Sequence, residues 1–140
     1  MQFGIKTNAK KIEKALKKKG KDVGKSMKRA LSITAQEGIN IIEARTEDGV
    51  GYKGGAFKGY SAKYARFRRD KGRSKSVDLQ FSGRMLGSMT SKADRKKATI
   101  FFTRAEEAKK AAMNNKTRPF FGFNRKEEKQ LAKTFFRYIK

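Results

Sequence analysis

The sequence contains no cysteine and no histidine, and Pro119 is its single proline. The chain can therefore build no disulfide, no thiolate nucleophile, no imidazole general base and no Cys/His zinc site. Its 13 Asp+Glu residues are scattered, without a spacing that would converge on a metal ion. These absences predict a protein that binds rather than catalyses: not an enzyme, and without a cofactor.

Long hydrophobic runs are also lacking. No apolar run approaches the ~18 residues that a membrane-spanning helix needs, and the first residues have no apolar core typical of a secretory signal. The sequence therefore predicts no membrane partner and assembly in a cytoplasm.

Positive charge is abundant: 37 Lys+Arg residues against 13 Asp+Glu give a formal net charge of +24. A compact body with this excess repels itself, so it should gain stability from salt or from an anionic partner. The length of 140 residues suits one domain. Eleven Phe and four Tyr compensate for a modest aliphatic content, because each aromatic ring buries a large apolar area.

Apolar periodicity predicts a long helix from Lys21 or Asp22 to Arg45. A last helix begins after Asn124, which with Glu127 makes a capping box, and it carries Leu131, Phe135 and Tyr138 on one face. Shorter helices are predicted for Ala9 to Lys19, for the stretch from a Ser61 cap to about Asp70, and for Ala105 to Met113 before Asn114-Asn115.

The best strand is Ala98 to Thr103, which is β-branched and aromatic. Ala93-Asp94-Arg95 reads as a hairpin turn, and the strand before it begins between Met85 and Ser91. The predicted fold class is α+β, with a long N-terminal helix and a C-terminal helix packed on a small antiparallel sheet. Residues 1–20 form a basic N-terminal arm or short helix, and residues 21–140 form a single α+β domain.

Aromatic and basic residues alternate between Tyr52 and Arg73. Single-strand nucleic-acid binders use such a pattern, in which rings stack on bases while Arg and Lys follow the phosphates. Alternatively, Tyr60, Tyr64 and Phe67 lie at helical spacing and form the buried side of an amphipathic helix, with the arginines facing water. The spacing favours this second interpretation.

Two groups of basic residues are candidates for contact with DNA or with an acidic partner. The N-terminal lysines belong either to a phosphate-binding arm or to a solvated helix face. The candidate residues are Lys10, Lys11, Lys14, Lys17, Arg66, Arg68, Arg69 and Arg73.

The most specific signal is the segment Val77-Asp-Leu-Gln-Phe-Ser-Gly-Arg-Met-Leu-Gly-Ser-Met89, followed later by Arg118-Pro-Phe-Phe-Gly-Phe123. In the first segment Gly83 permits a tight turn and Ser82 is placed to cap it. Apolar residues anchor the turn on both sides, namely Leu79, Phe81, Met85 and Leu86.

The order of these segments resembles the virion-morphogenesis and tail-completion proteins, the small neck proteins of Mu-like and related long-tailed bacteriophages. The hallmark of that family is a hydroxyl–Gly–x–Leu-type turn, preceded by Leu and followed by Ser. Here it corresponds to Leu79, Ser82, Gly83, Leu86 and Ser88, with Ser82 where threonine is frequent. An Arg–Pro/aromatic–Phe–Gly segment then precedes the terminal helix. The resemblance covers about residues 25–138, and the lysine-rich first twenty residues fall outside it.

This resemblance implies a structural virion protein in the neck or tail, assembled in the host cytoplasm. Several copies would form a homo-oligomeric ring at the head–tail junction or tail top, where the ring completes the tail and joins it to the head. Its implied partners are connector, tail-terminator or tail-tube proteins, and packaged double-stranded DNA. The expected subunit or partner contacts are Tyr52, Phe57, Tyr60, Arg118, Phe120, Phe121 and Phe123. The alternative function is a basic nucleic-acid-binding module of ribosomal or nucleoid type.

Overall fold

The computed structural model describes residues 2–6, 9–18, 22–74, 76–80 and 82–139. Lys19, Lys21 and Phe81, which the sequence-based predictions include, lie outside these residues. Six helices and three strands are present in the described part of the chain. In chain order they are β1 (Gln2–Lys6), α1 (Ala9–Lys18), α2 (Val23–Glu47), α3 (Ala62–Asp70), α4 (Arg84–Gly87), β2 (Met89–Ala93), β3 (Lys97–Phe102), α5 (Ala105–Thr117) and α6 (Arg125–Tyr138).

The three strands form one antiparallel sheet in the order β1-β3-β2. Ile100 of the central strand pairs with Phe3 of β1 and with Ser91 of β2. The β2–β3 hairpin turns at Asp94, whose Oδ1 accepts hydrogen bonds from the backbone N–H groups of Lys96 and Lys97. Strand β1 was not predicted, because it is short, has Gly4 at its centre and pairs with a strand far along the chain.

Helix α2 is the central element of the core. Asp22 caps its N-terminus by accepting from the Lys25 N–H, and its stripe of small and aliphatic residues is fully buried against β2, β3 and α6. The helix approaches the sheet closely at Gly38, where an added Cβ would lie 2.9 Å from Phe123 Cζ and 3.2 Å from Ile100 Cδ1. A methyl group at this position would force the Phe123 ring to shift.

Helix α6 begins with the predicted capping box, in which Asn124 Oδ1 accepts from the Glu127 N–H and Glu127 Oε1 accepts from the Asn124 N–H. Leu131 and Phe135 are buried, so the predicted apolar face of this helix is confirmed. The capping box gives hydrogen-bond partners to two N–H groups at the start of the helix. This segment therefore begins its helix at a defined residue although it is rich in lysine and arginine.

Helix α5 continues beyond the predicted stop at Asn114-Asn115 and ends at Thr117. The side chains of both asparagines make hydrogen bonds, and neither residue ends the helix. Asn114 Nδ2 donates to the Lys110 carbonyl, and Asn115 Oδ1 accepts from the N–H groups of Phe120 and Phe121. Asn115 therefore organises the loop that follows the helix, which is why the predicted end was wrong.

The fold class is α+β, with a long N-terminal helix, a C-terminal helix and a small antiparallel sheet, as predicted. Helix α2 lies against the sheet, and α6 packs on α2. Within the described ranges, no helix has both the length and the apolar character required to cross a lipid bilayer.

Candidate functional site

The chain turns sharply at two described residues of the predicted turn segment, Leu79 and Gly83. Leu79 adopts a φ of +58° and Gly83 a φ of +77°, and the left-handed region strains a leucine but not a glycine. The Leu79 N–H donates to the Tyr60 hydroxyl at 3.2 Å, and the Arg84 N–H donates to Ser82 Oγ at 3.4 Å. Met85, Leu86 and Ser88 are buried beneath the turn.

Arg68 attaches this segment to helix α3. Its guanidinium donates to the carbonyls of Ser74 and Gln80 and lies 3.3 Å from Asp78 Oδ1. The side chain is only 2% exposed, so it is not presented to a partner. The expectation that the arginines of this helix face water is therefore wrong for Arg68, since its donors satisfy loop carbonyls that would otherwise lack partners.

Tyr60 lies between two arginines. The guanidinium carbon of Arg68 is 4.9 Å from the ring centroid and that of Arg118 is 4.8 Å from it. Arg118 also donates to the carbonyls of Lys58 and Gly59. Burial raises the pKa of the Tyr60 phenol above its ordinary value, and the charge of Arg68 opposes this rise. The neutral hydroxyl therefore continues to accept from Leu79 across the physiological range.

The helical spacing of the rings predicted that they form the buried side of helix α3. In the structure the rings on this helix are exposed. Tyr64 is 38% exposed and Phe67 is 45% exposed. Their ring centroids are 6.1 Å apart at an interplanar angle of 27°, and Tyr60 contacts Tyr64 edge-on at 4.9 Å. The expectation was wrong because the one buried side chain of this helix is the arginine at position 68.

Helix α5 supplies the opposite wall of a groove of about 550 Å³. Glu107 is only 1% exposed; its Oε1 lies 3.4 Å from Lys110 Nζ, while its buried Oε2 has no hydrogen-bond partner among the described residues. The groove is lined by Tyr60, Ser61, Tyr64, Phe67, Arg68, Leu79, Ser82, Gly83, Met85, Glu107, Lys110, Asn114 and Arg118. This volume lies within the ~300–1,000 Å³ that is usual for ligand sites.

Sequence reasoning missed the role of Glu107. The residue follows Glu106 in a lysine-rich helix, so its charge pattern resembles a solvated face. The one available signal was helical phase, because Glu107 lies four residues before the buried Ala111 and therefore shares its face.

The predicted contact residues of the aromatic segments divide into two groups. Phe57, Phe120, Phe121 and Phe123 are in the hydrophobic core. These four rings expose little surface in the single chain, and their contact with a neighbour stays a prediction. Tyr52, Tyr60 and Arg118 are half-buried at the surface.

The Gly49–Tyr60 loop is ordered against the Arg118–Phe123 segment. The Tyr52 N–H donates to the Pro119 carbonyl at 3.0 Å, and an added Cβ at Gly122 would lie 2.8 Å from the Tyr52 ring. Val50 and Ala56 form an isolated bridge within the loop. The two segments therefore support each other within one protomer.

The remaining basic candidates lie at the surface in two places. Lys10, Lys11, Lys14 and Lys17 are exposed on helix α1. Arg66, Arg69 and Arg73 are exposed on or just after helix α3, and none of the three is among the residues that line the groove. The two cationic surfaces therefore belong to different helices, as the separate helices predicted for the two groups indicated.

Over the part of the chain that is described, no three or more Asp or Glu side chains cluster in a way that could hold a metal ion. The arrangement that is present combines exposed rings, cations and one buried carboxylate in an open groove, which suits reversible binding. Comparisons of the chain with protein-family models, with curated proteins and with solved structures give no match.

Proposed function

We propose that this protein is a structural component of a long-tailed bacteriophage virion, which forms a ring at the head–tail junction or tail top and joins tail to head. The observation that carries the proposal is the convergence of its two most specific segments. Leu79, Ser82 and Gly83 of the turn line the same groove as Arg118 of the Arg-Pro-Phe-Phe-Gly-Phe segment. Segments that are separate in the sequence thus build one surface feature.

The internal order of these segments supports a role as a building block. Arg45 Nη1 lies 2.6 Å from Glu127 Oε2, and Arg45 Nη2 donates to the carbonyls of Phe120 and Gly122 at 2.7 and 2.9 Å. This cluster fixes the Phe-rich segment between α2 and α6. A ring subunit needs such rigidity, because each copy must present two different faces at a constant angle for the ring to close.

The net charge of +24 sets the conditions for assembly. Identical protomers with this charge repel one another, so a ring should need salt or an anionic neighbour to form. We assign the exposed lysines of α1 to acidic surfaces of connector, tail-terminator or tail-tube proteins. A lumen that bound the phosphates of packaged double-stranded DNA tightly would hinder its exit.

The decisive experiment is the protein content of purified virions together with the mass of the protein in solution. We expect this chain in mature particles, at a fixed copy number per virion and at the neck or upper tail. In solution it should be a monomer at low salt, and it should assemble when an acidic neck or tail protein is added. Absence from purified particles would overturn the proposal.

A basic nucleic-acid-binding module of ribosomal or nucleoid type is the second candidate function, and the exposure of Tyr64 and Phe67 favours it. That function predicts that the isolated monomer is found on ribosomes or chromosomes, and that Arg66 and Arg69 are needed for its affinity. Fractionation of infected cells separates the candidates, since a virion protein follows the particles.

A further inference from the structure

The groove between α3 and α5 contains a ready platform for stacking. Tyr64 and Phe67 are 38% and 45% exposed and lie nearly parallel to each other. Rings of this kind in a cationic groove are what proteins use to stack the bases of unpaired nucleic-acid strands. In a duplex the base faces are already stacked, so such rings cannot reach them.

The helix that carries this platform also exposes several cations. Lys63, Arg66, Arg69 and Lys71 are exposed on or next to α3, where Asp70 is the one acidic residue. Lys71 Nζ lies 6.0 Å from the Phe67 ring centroid, so a bound strand would meet a ring and a cation side by side. This arrangement matches a strand whose bases point toward the protein and whose phosphates point toward solvent.

The groove also contains a buried carboxylate. Glu107 is one of the residues that line the groove, and its Oε2 is buried with no hydrogen-bond partner within the described ranges. A buried acceptor without a partner is costly, and an exocyclic amine of a base would satisfy it. A phosphate or a carboxylate would be repelled at that position, which disfavours an acidic peptide as the occupant.

From these three observations we propose that the groove between α3 and α5 binds single-stranded nucleic acid. Tyr64 and Phe67 stack on unpaired bases, Arg66 and Arg69 contact the flanking phosphates, and Glu107 accepts from a base amine. This inference does not depend on the proposed ring, since a neck protein and a free basic module could both carry such a groove.

The test is fluorescence anisotropy of the full chain with short labelled oligomers of cytosine nucleotides, as DNA and as RNA. The same DNA sequence paired in a duplex and a glutamate-rich peptide serve as comparison ligands. We expect the single strands to bind tighter than the duplex, and the tighter of the DNA and RNA oligomers identifies the natural strand. The affinity should fall with salt according to the number of phosphates contacted.

The key variants are Tyr64→Ala and Phe67→Ala. Each should weaken single-strand binding about tenfold, in keeping with the loss of one stacking ring. Phe136→Ala is the matched control, because Phe136 is 63% exposed but lies on α6 and does not line the groove. The affinity of this control variant should stay within about twofold of that of the unmodified protein. Thermal unfolding monitored by circular dichroism verifies that each variant is folded.

Glu107→Gln tests the hydrogen bond from a base amine to Glu107. With its oxygen held by Lys110, the glutamine would turn an amide N–H₂ to the place of Oε2, which replaces an acceptor with a donor. We expect the protein to prefer cytosine over thymine oligomers, because thymine has no exocyclic amine, and we expect this preference to be lost in the variant.

Equal binding of duplex and single strand, with Tyr64→Ala and Phe67→Ala unchanged, would overturn the proposal in favour of attraction by charge alone. Tighter binding of the glutamate-rich peptide would overturn it in favour of an acidic protein partner. Neither result would affect the virion experiment, so this proposal and the proposed function fail separately.

Discussion

Two regions of this protein are built around an arginine, which is largely buried at Arg45 and fully buried at Arg68. Arg45 binds the carbonyls of Phe120 and Gly122 and the carboxylate of Glu127. Arg68 likewise binds the carbonyls of Ser74 and Gln80 and the carboxylate of Asp78. In each region the arginine fastens a loop to a helix through backbone acceptors.

The aromatic rings near the two arginines differ in their exposure to solvent. Around Arg45 the rings of Phe120, Phe121 and Phe123 are buried, because α2, α6 and the sheet enclose them. Around Arg68 the rings of Tyr64 and Phe67 are exposed, because α3 lies at the edge of the protein and is fastened there by its arginine. The same pairing of an arginine with rings thus gives a core in one place and an exposed aromatic surface in the other.

The largest effect should come from Arg45→Met, which keeps the apolar stem but leaves Glu127 and two carbonyls without their partner. Breaking a buried charge pair in this way costs about 3–5 kcal/mol. Urea unfolding should detect a loss in the free energy of unfolding of roughly 3 kcal/mol. Arg29→Met on the same helix is the control, since Arg29 is exposed and should cost less than about 1 kcal/mol. Equal losses in the two variants would contradict the importance of the Arg45 cluster.

Arg68→Met should cost less, about 1.5–3 kcal/mol, and its effect should be local. Without the guanidinium, the loop of residues 74–80 loses its attachment to α3. Hydrogen exchange should become faster at the amides of Leu79 and Gln80, whereas the amides of α2 should keep their protection. Equal loss of protection in α2 would mean that the two arginine regions unfold together.

Gly38→Ala tests the close packing of the Arg45 region without removing any polar contact. The new methyl group would lie 2.9 Å from Phe123 Cζ, and such overpacking costs about 1–3 kcal/mol. Gly59→Ala is the control near the Arg68 region, because an added Cβ there meets nothing within 4 Å. Thermal unfolding should show a lower Tm for the first variant and an almost unchanged Tm for the second.

The smallest effect is expected at Asp94, whose exposed turn belongs to neither arginine region and serves as a reference for them. Backbone hydrogen bonds from Lys96 and Lys97 lower the pKa of this carboxyl below its ordinary value of 3.8. Its contribution to stability is therefore complete above about pH 4 and is lost as the pH falls through the lowered pKa. Asp94→Asn should reduce stability slightly at neutral pH, and the difference should shrink below pH 4 in pH-dependent thermal unfolding. A constant difference would mean that the charge of Asp94 makes no contribution.

Local features of the fold were predictable because their physical causes lie within a few residues. The capping box at Asn124 and Glu127, the Ser61 cap of α3 and the Asp94 turn each depend on contacts between near neighbours. The end of α5 was predicted wrongly because the Asn115 side chain is used by a loop five and six residues further on. Propensity alone assigns asparagine to a helix end and does not anticipate such a partner.

The sequence by itself determined the α+β class, the main helices, the hairpin and the high positive charge, since periodicity, capping and composition depend on short stretches of chain. The tertiary structure alone decided the pairing of β1 with β3, the burial of Arg68 and Glu107, and the exposure of Tyr64 and Phe67. Helical spacing tells which side chains share a face of α3, but whether that face meets the core or solvent depends on where distant elements pack. The groove could therefore be found only in the folded chain.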